Sequence, residues 1–305
     1  MADARTRLKK NDSSCLKAAA TILCWSTLAP VTKALLADLS YMQVLFVSSS
    51  FAVAFLLAVN IIQKKHRILL SYSIRDILIQ VGLGFIGLFL YSALYYYSLS
   101  ELSSQDACII NYLWPIMIIL FSAPILKEKI TAKKMTAVLL SFFGLIIVAT
   151  RGNISGFDPG GVKGVVACFF AAVCYGLFSA LNKKTDYDQS VAMTIYFGVT
   201  AAASGVGCAL QGGLGPISTI QMAGFIWIGV FTDAIAYFLW ALALKGGDTA
   251  KISNLAYMTP FLSILISAAF LREPIYPYSI VGLFFIMAGI VWMSVNVRNK
   301  FNRIS

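Results

Sequence analysis

Read from its N-terminus, the chain alternates between long apolar runs and short polar connectors. Each run is about 20 residues, the length of helix that crosses a ~30 Å hydrocarbon core. The runs fall at roughly 16–37, 42–62, 77–98, 102–126, 133–150, 161–182, 189–210, 221–244, 250–271 and 277–297. Connectors such as QKKHR (63–67) and NKKTDYDQ (182–189) separate them, and none is long enough for a soluble domain. The pattern therefore predicts an all-α membrane protein with ten transmembrane helices. Residues 1–15 read as a basic tail. The first run is too long for a signal-peptide core and shows no small-x-small cleavage site, so it is expected to be retained.

Composition agrees: 59% of the 305 residues are hydrophobic and 12% charged, about half the charged share of a soluble domain. Charge adds an orientation. With the N-terminus inside, all of the 24 Lys and Arg except Lys33, Arg151, Lys163 and Arg272 fall on the inner side, as positive-inside topology requires. The net charge of +11 then records topology, with both termini in the cytoplasm, and is no nucleic-acid footprint.

The same passage is written twice. An ungapped shift of 145 residues puts Gly84 on Gly229, Tyr112 on Tyr257, Pro115 on Pro260, Glu128 on Glu273, Ile130 on Ile275 and Gly144 on Gly289. With a slightly different offset, LCWSTLAPVTKAL answers VCYGLFSALNKKT, so that Trp25 meets Tyr175 and Lys33 meets Lys183. The chain is expected to comprise a five-helix repeat at 16–150 and another at 161–297. Five is odd, so the second copy enters the membrane from the opposite side, giving inverted halves of the kind carriers use.

NYLWP (111–115), CWST (24–27), AYFLWALALKGG (236–247) and YMTPFLSILISA (257–268) resemble the drug/metabolite transporter superfamily with its EamA repeats. Within it the chain is most similar to the aromatic amino-acid exporter branch, with Tyr175 where that branch usually carries a tryptophan. The resemblance covers nearly the whole chain. It implies ten helices, a central cavity between the halves and export of small organic solutes across the plasma membrane.

Candidate cavity residues follow from depth and helical spacing. Asp233, Tyr237 and Trp240 stand at i, i+4 and i+7, one face of a regular helix. A carboxylate at that depth must face protein or water. Asn111, Tyr112 and Trp114 precede Pro115, which frees a carbonyl one turn back. Freed backbone groups at membrane depth are tolerated where they line a cavity or meet protein. Trp25 and Tyr175 are mid-span repeat mates, and Tyr91 and Tyr95 share a face at i, i+4; Tyr257 is the mate of Tyr112. Pro30, Pro115 and Pro260 are expected to kink their helices. Asp106 lies just inside the end of its span, and Lys33 is expected to snorkel outward.

Other chemistry is not expected. GLGFIG (82–87) fits a dinucleotide motif but lies inside a helix with no preceding strand. Its glycines suit close helix packing, as do Ala201, Gly205 and Ala209. His66 is the sole histidine and falls in a connector, and the six cysteines show no metal spacing. No cofactor, metal or nucleophile–base pair is therefore predicted. An intramembrane enzyme would need a second deep acid or histidine beside Asp233. A channel would need a polar stripe along the whole span. A nucleotide-sugar or phosphorylated-metabolite exchanger would need Lys or Arg deep in the cavity. Aromatic or other neutral amino acids, carried by alternating access, rank first among substrates.

Overall fold

A computed structural model describes residues 2–153, 159–246, 252 and 255–301. Among these, eight helices are long and apolar enough to cross a membrane by length and composition, and two shorter apolar helices follow at Met258–Leu271 and Pro277–Trp292. The ninth predicted run, 250–271, lies partly outside the described residues.

The elements in order are α1 (Ala2–Leu35), α2 (Tyr41–Ile62), α3 (His66–Ser71), α4 (Ile74–Gly84), a π-helical stretch π1 (Phe85–Leu90), α5 (Tyr91–Glu101), α6 (Ser104–Asn111), α7 (Trp114–Leu126) and α8 (Ala132–Ala149). They continue with α9 (Pro159–Asn182), α10 (Gln189–Leu210), α11 (Thr219–Ile226), π2 (Trp227–Ile235), α12 (Ala236–Gly246), α13 (Met258–Leu271) and α14 (Pro277–Phe301). The predicted basic tail is helical and continuous with the first span. No glycine or proline precedes Pro30 to stop it.

Local devices recur at the 145-residue spacing. Ser73 caps α4 in a capping box with Asp76, and Ser218 caps α11 in a capping box with Gln221. α7 and α13 both end on a left-handed residue, Lys127 and Arg272, each with φ near 57°, a conformation that ends a helix by satisfying its last carbonyls. The two π stretches correspond as well.

Pairs of helices at equivalent positions pack antiparallel on each other. α8 lies against α14, where a Cβ on Gly144 would sit 2.5 Å from the Gly282 carbonyl oxygen and one on Gly289 2.6 Å from that of Ala137. Backbones this close require glycine. Ser141 donates to the Ile286 carbonyl at 3.3 Å in the same seam. α2 lies against α10, with Phe46 over Gly205 and Met42 over Gly207. At the far end of that pair Asn60 donates to Thr194 at 2.8 Å and accepts from Ser190 at 2.7 Å. The other large contacts cross over: α1 packs on α12 and α13, and α9 packs on α5 and α7. Each half of the chain thus completes its core with the other half's first helix.

Two expectations about backbone change here. Pro115 and Pro260 do not kink a continuous helix: they sit in the first turns of α7 and α13, where a missing N–H removes no intrahelical bond. Pro30 stays inside α1.

Candidate functional site

The break in the predicted span 102–126 shows what NYLWP does. Tyr112 N–H bonds the Cys108 and Ile109 carbonyls and Leu113 N–H bonds Ile110, closing α6 with a tightened turn. Leu113's carbonyl then receives Ile116 and Met117 and starts α7. Pro115 offers no donor for the Asn111 carbonyl, so the ladder cannot run through. The buried Asn111 side chain donates to the Tyr91 hydroxyl at 3.0 Å and so fixes that ring.

On the other side, π2 alters the eighth span. Ala236 N–H bonds the Phe231 carbonyl, five residues back, rather than that of Thr232. The Trp25 indole donates to the Thr232 carbonyl at 3.2 Å. The widened turn therefore ties α1 to π2 and presents Asp233 and Tyr237 beside Trp25. Functional sites often carry such single-turn irregularities.

These elements enclose a small central cavity of about 40 Å³, lined by Trp25, Leu28, Leu88, Tyr91, Ser92, Tyr95, Tyr96, Tyr175, Phe197, Thr232, Asp233 and Tyr237. That volume holds a few water-sized groups, whereas binding pockets for drug-sized solutes run to several hundred Å³. The rings touch one another. Tyr91 and Tyr95 are stacked at 6.1 Å, Tyr91 meets Tyr175 at 4.9 Å, and Trp25 meets Tyr237 at 5.3 Å.

Of the residues singled out from sequence, Trp25, Tyr91, Tyr95, Tyr175, Asp233 and Tyr237 come together on the wall. The others stand one layer behind. Asn111 acts through Tyr91, Trp114 sets its edge against Tyr175 at 5.5 Å, and Trp240 packs on Trp25 at 5.4 Å. Tyr112 lies 6.4 Å from Trp114 and donates to the Ala256 carbonyl, while Tyr257 packs at the margin of the core. Sequence reasoning passed over Tyr96, Ser92 and Leu28, which share helices with chosen residues. It also passed over Phe197 on α10, for which no chemical signal existed.

Asp106 and Lys33 are engaged elsewhere. Asp106 is buried, accepting from Ser279 at 2.9 Å and Tyr278 at 3.4 Å on α14. Lys33 does not snorkel. Its ammonium donates to the Leu99 and Leu102 carbonyls at 2.7 and 2.8 Å, capping the C-terminus of α5, where the helix dipole favours a cation. Among the described residues no group of His, Cys, Asp and Glu could hold a metal ion. A larger cleft of about 680 Å³ opens between α1, α11 and α13, and its walls, Val31, Ile220, Trp227 and Phe270 among them, are mostly apolar.

The model of the EamA-like transporter family matches residues 13–150 and again residues 162–295. The chain belongs to this family, within the drug/metabolite transporter superfamily. It is a multi-pass membrane transporter. Among relatives of this EamA-family protein, the aromatic amino acid exporter YddG of Ancylobacter novellus is 27% identical over 187 residues, 61% of this chain and 64% of that one. The uncharacterized transporter YyaM of Bacillus subtilis is 25% identical over 225 residues, 72% of this chain and 73% of that one. A crystal structure superimposes with a TM-score of 0.67 at 23% identity, covering 95% of this chain and 99% of the other. That likeness is one of fold.

Proposed function

We propose that this EamA-family protein exports small organic solutes with an aromatic or apolar body across the plasma membrane by alternating access, aromatic and other neutral amino acids being the first substrates to test. The observation that carries the reading is the aromatic cavity at the crossing of the two halves, with one carboxylate on its wall. Rings with polar tips suit a solute that is apolar over most of its surface and polar at one end. The export of aromatic amino acids by the YddG relative points the same way. Among the described residues no Lys or Arg lines the cavity, which argues against phosphorylated solutes.

The proposal includes ten membrane helices in two inverted five-helix repeats, 16–150 and 161–297, with both termini in the cytoplasm. Its support is the antiparallel packing of α8 on α14 and of α2 on α10 at equivalent positions. A two-fold axis in the membrane plane produces that arrangement. A cavity of about 40 Å³ suits a state closed at both ends.

Counterflow in proteoliposomes tests the function. Vesicles preloaded with unlabelled phenylalanine should accumulate labelled aromatic amino acids or related amines transiently and saturably, and sugar phosphates should not compete. Linear, non-saturating flux would indicate a channel. On a cysteine-free background, single cysteines at Lys65 and Lys129 should be shielded from an impermeant reagent in intact cells, and one at Gly213 should react.

A further inference from the structure

Among the described residues, those that line the central cavity carry one formal charge, and it is negative. Asp233 stands on the widened turn, and among the described residues no Lys or Arg lies within salt-bridge distance of it. Among the described residues, the lysines that follow Trp25 and Tyr175 on their helices are engaged away from the cavity. Lys33, two turns beyond Trp25 on α1, donates to the Leu99 and Leu102 carbonyls. Lys183, two turns beyond Tyr175 at the end of α9, lies 3.5 Å from Glu128.

An ionised carboxylate inside a membrane protein is costly unless a positive charge accompanies it. Here the wall beside it is built of aromatic rings, Trp25, Tyr175 and Tyr237 foremost, and an aromatic face carries negative quadrupole potential that attracts an ammonium. A carboxylate of a bound solute would meet the opposite situation. The Trp25 indole N–H is already given to the Thr232 carbonyl. What remains are neutral hydroxyls, which can hydrogen-bond a carboxylate without balancing its charge. A zwitterion would thus bring its ammonium to Asp233 and leave its own carboxylate uncompensated near a second one.

We infer that the central cavity selects monocationic organic ammonium compounds over the corresponding zwitterionic amino acids, with the ammonium on Asp233 and the apolar body against the rings of Trp25, Tyr175 and Tyr237. This deepens the carrier reading and rests on it for the claim that the cavity is the transport site. Asp233 acts as the specificity-determining residue. Thr232, beside it, orients Trp25 through its carbonyl.

Calorimetric binding to the purified full chain tests the inference with three probes of one shape: 2-phenylethylamine, L-phenylalanine and 2-phenylethanol. The amine should bind about ten- to a hundred-fold more tightly than the amino acid, the range of one charge-assisted hydrogen-bonded contact. Asp233→Asn should lose that advantage while still binding 2-phenylethanol, and Asp233→Glu should keep it. Binding of phenylalanine equal to or tighter than that of the amine, a ratio unchanged in Asp233→Asn, or no binding of the amine to the natural chain would each overturn the inference. Counterflow keeps the two readings apart. Saturable exchange of both solutes without preference defeats the ammonium selection alone. Amine binding lost in Asp233→Asn, with no exchange of any solute, defeats the carrier reading and leaves the site standing.

Discussion

The two ends of the molecule are built from corresponding residues and are held differently. At one end Lys33 caps α5, and Glu273 takes both the N–H and the hydroxyl of the fully buried Ser104, at 3.0 and 2.7 Å. Gln105 donates to the Glu273 and Pro274 carbonyls, and Asp106 takes Ser279. At the other end the mates are Lys183 and Glu128. The Lys183 side chain is 67% exposed and 3.5 Å from Glu128, which is 39% exposed and also shared with Lys134. The counterpart of Ser104, Thr249, lies outside the described residues. Lys65 and Asp188 add an ion pair at 2.9 Å to this end. Corresponding residues therefore do unequal work. Buried hydrogen bonds hold Lys33 and Glu273, whereas water and salt can replace the ion pairs of their mates Lys183 and Glu128. The buried bonds of the Lys183 end lie in the α2–α10 seam around Asn60. The contrast predicts that the Lys183 end opens at lower cost.

The largest effect should come from the acid pair. Glu273→Ala strands a buried N–H and a buried hydroxyl and should destabilise the protein by about 1–3 kcal/mol. Glu128→Ala removes exposed ion pairs and should stay within about 1 kcal/mol. Chemical unfolding in detergent measures both, and equal losses would erase the comparison.

Their lysine partners should differ less. Lys33→Met leaves the Leu99 and Leu102 carbonyls without their charged donor, at a cost of about 1.5 kcal/mol, and amide exchange should rise at the α5–α6 junction. Lys183→Met should change exchange there not at all and stability by at most about 0.5 kcal/mol. Faster exchange at that junction in both variants would mean that the ends are coupled rather than separate.

Acid gives the smallest and most local signal. A hydrogen bond from Lys134, then the charges of Lys134 and Lys183, holds the Glu128 carboxyl below its ordinary value. For Asp188 partial burial pushes upward, but the bond from Lys65 and the amides of Val191 and Ser190 outweigh it and the carboxyl is held low. A carboxyl depressed in the folded state contributes stability that is complete above its unfolded value and is lost as pH falls through its folded value. Protection at the Lys183 end should therefore hold down to about pH 4 and decline below it. Asp188→Asn should blunt that decline. It should cost about 1 kcal/mol or less, because an amide oxygen still accepts at the N-terminus of α10.

The apolar runs, the connectors and the 145-residue echo were legible because a bilayer demands long uninterrupted hydrophobicity, and that demand is written locally. Trp25, Tyr91, Tyr95, Tyr175, Asp233 and Tyr237 were legible for a related reason: polar-tipped rings and a carboxylate at membrane depth must face protein or water. Tertiary structure decided the rest. A proline in a long apolar run predicts a lost hydrogen bond, but whether the helix bends or restarts depends on what receives the free carbonyls. At Asn111–Pro115 the chain restarts, which moves Trp114 from the cavity to a ring behind it. The π turn at Trp227–Ile235 left no periodic trace, since one inserted residue shifts a helical face without changing its composition. Phe197 reached the wall because α10 crosses at that level. The fates of Lys33 and Lys183 diverged although they are repeat mates, because a charge is stabilised by the carbonyls and carboxylates packed around it, and one packing is buried while the other is open to water.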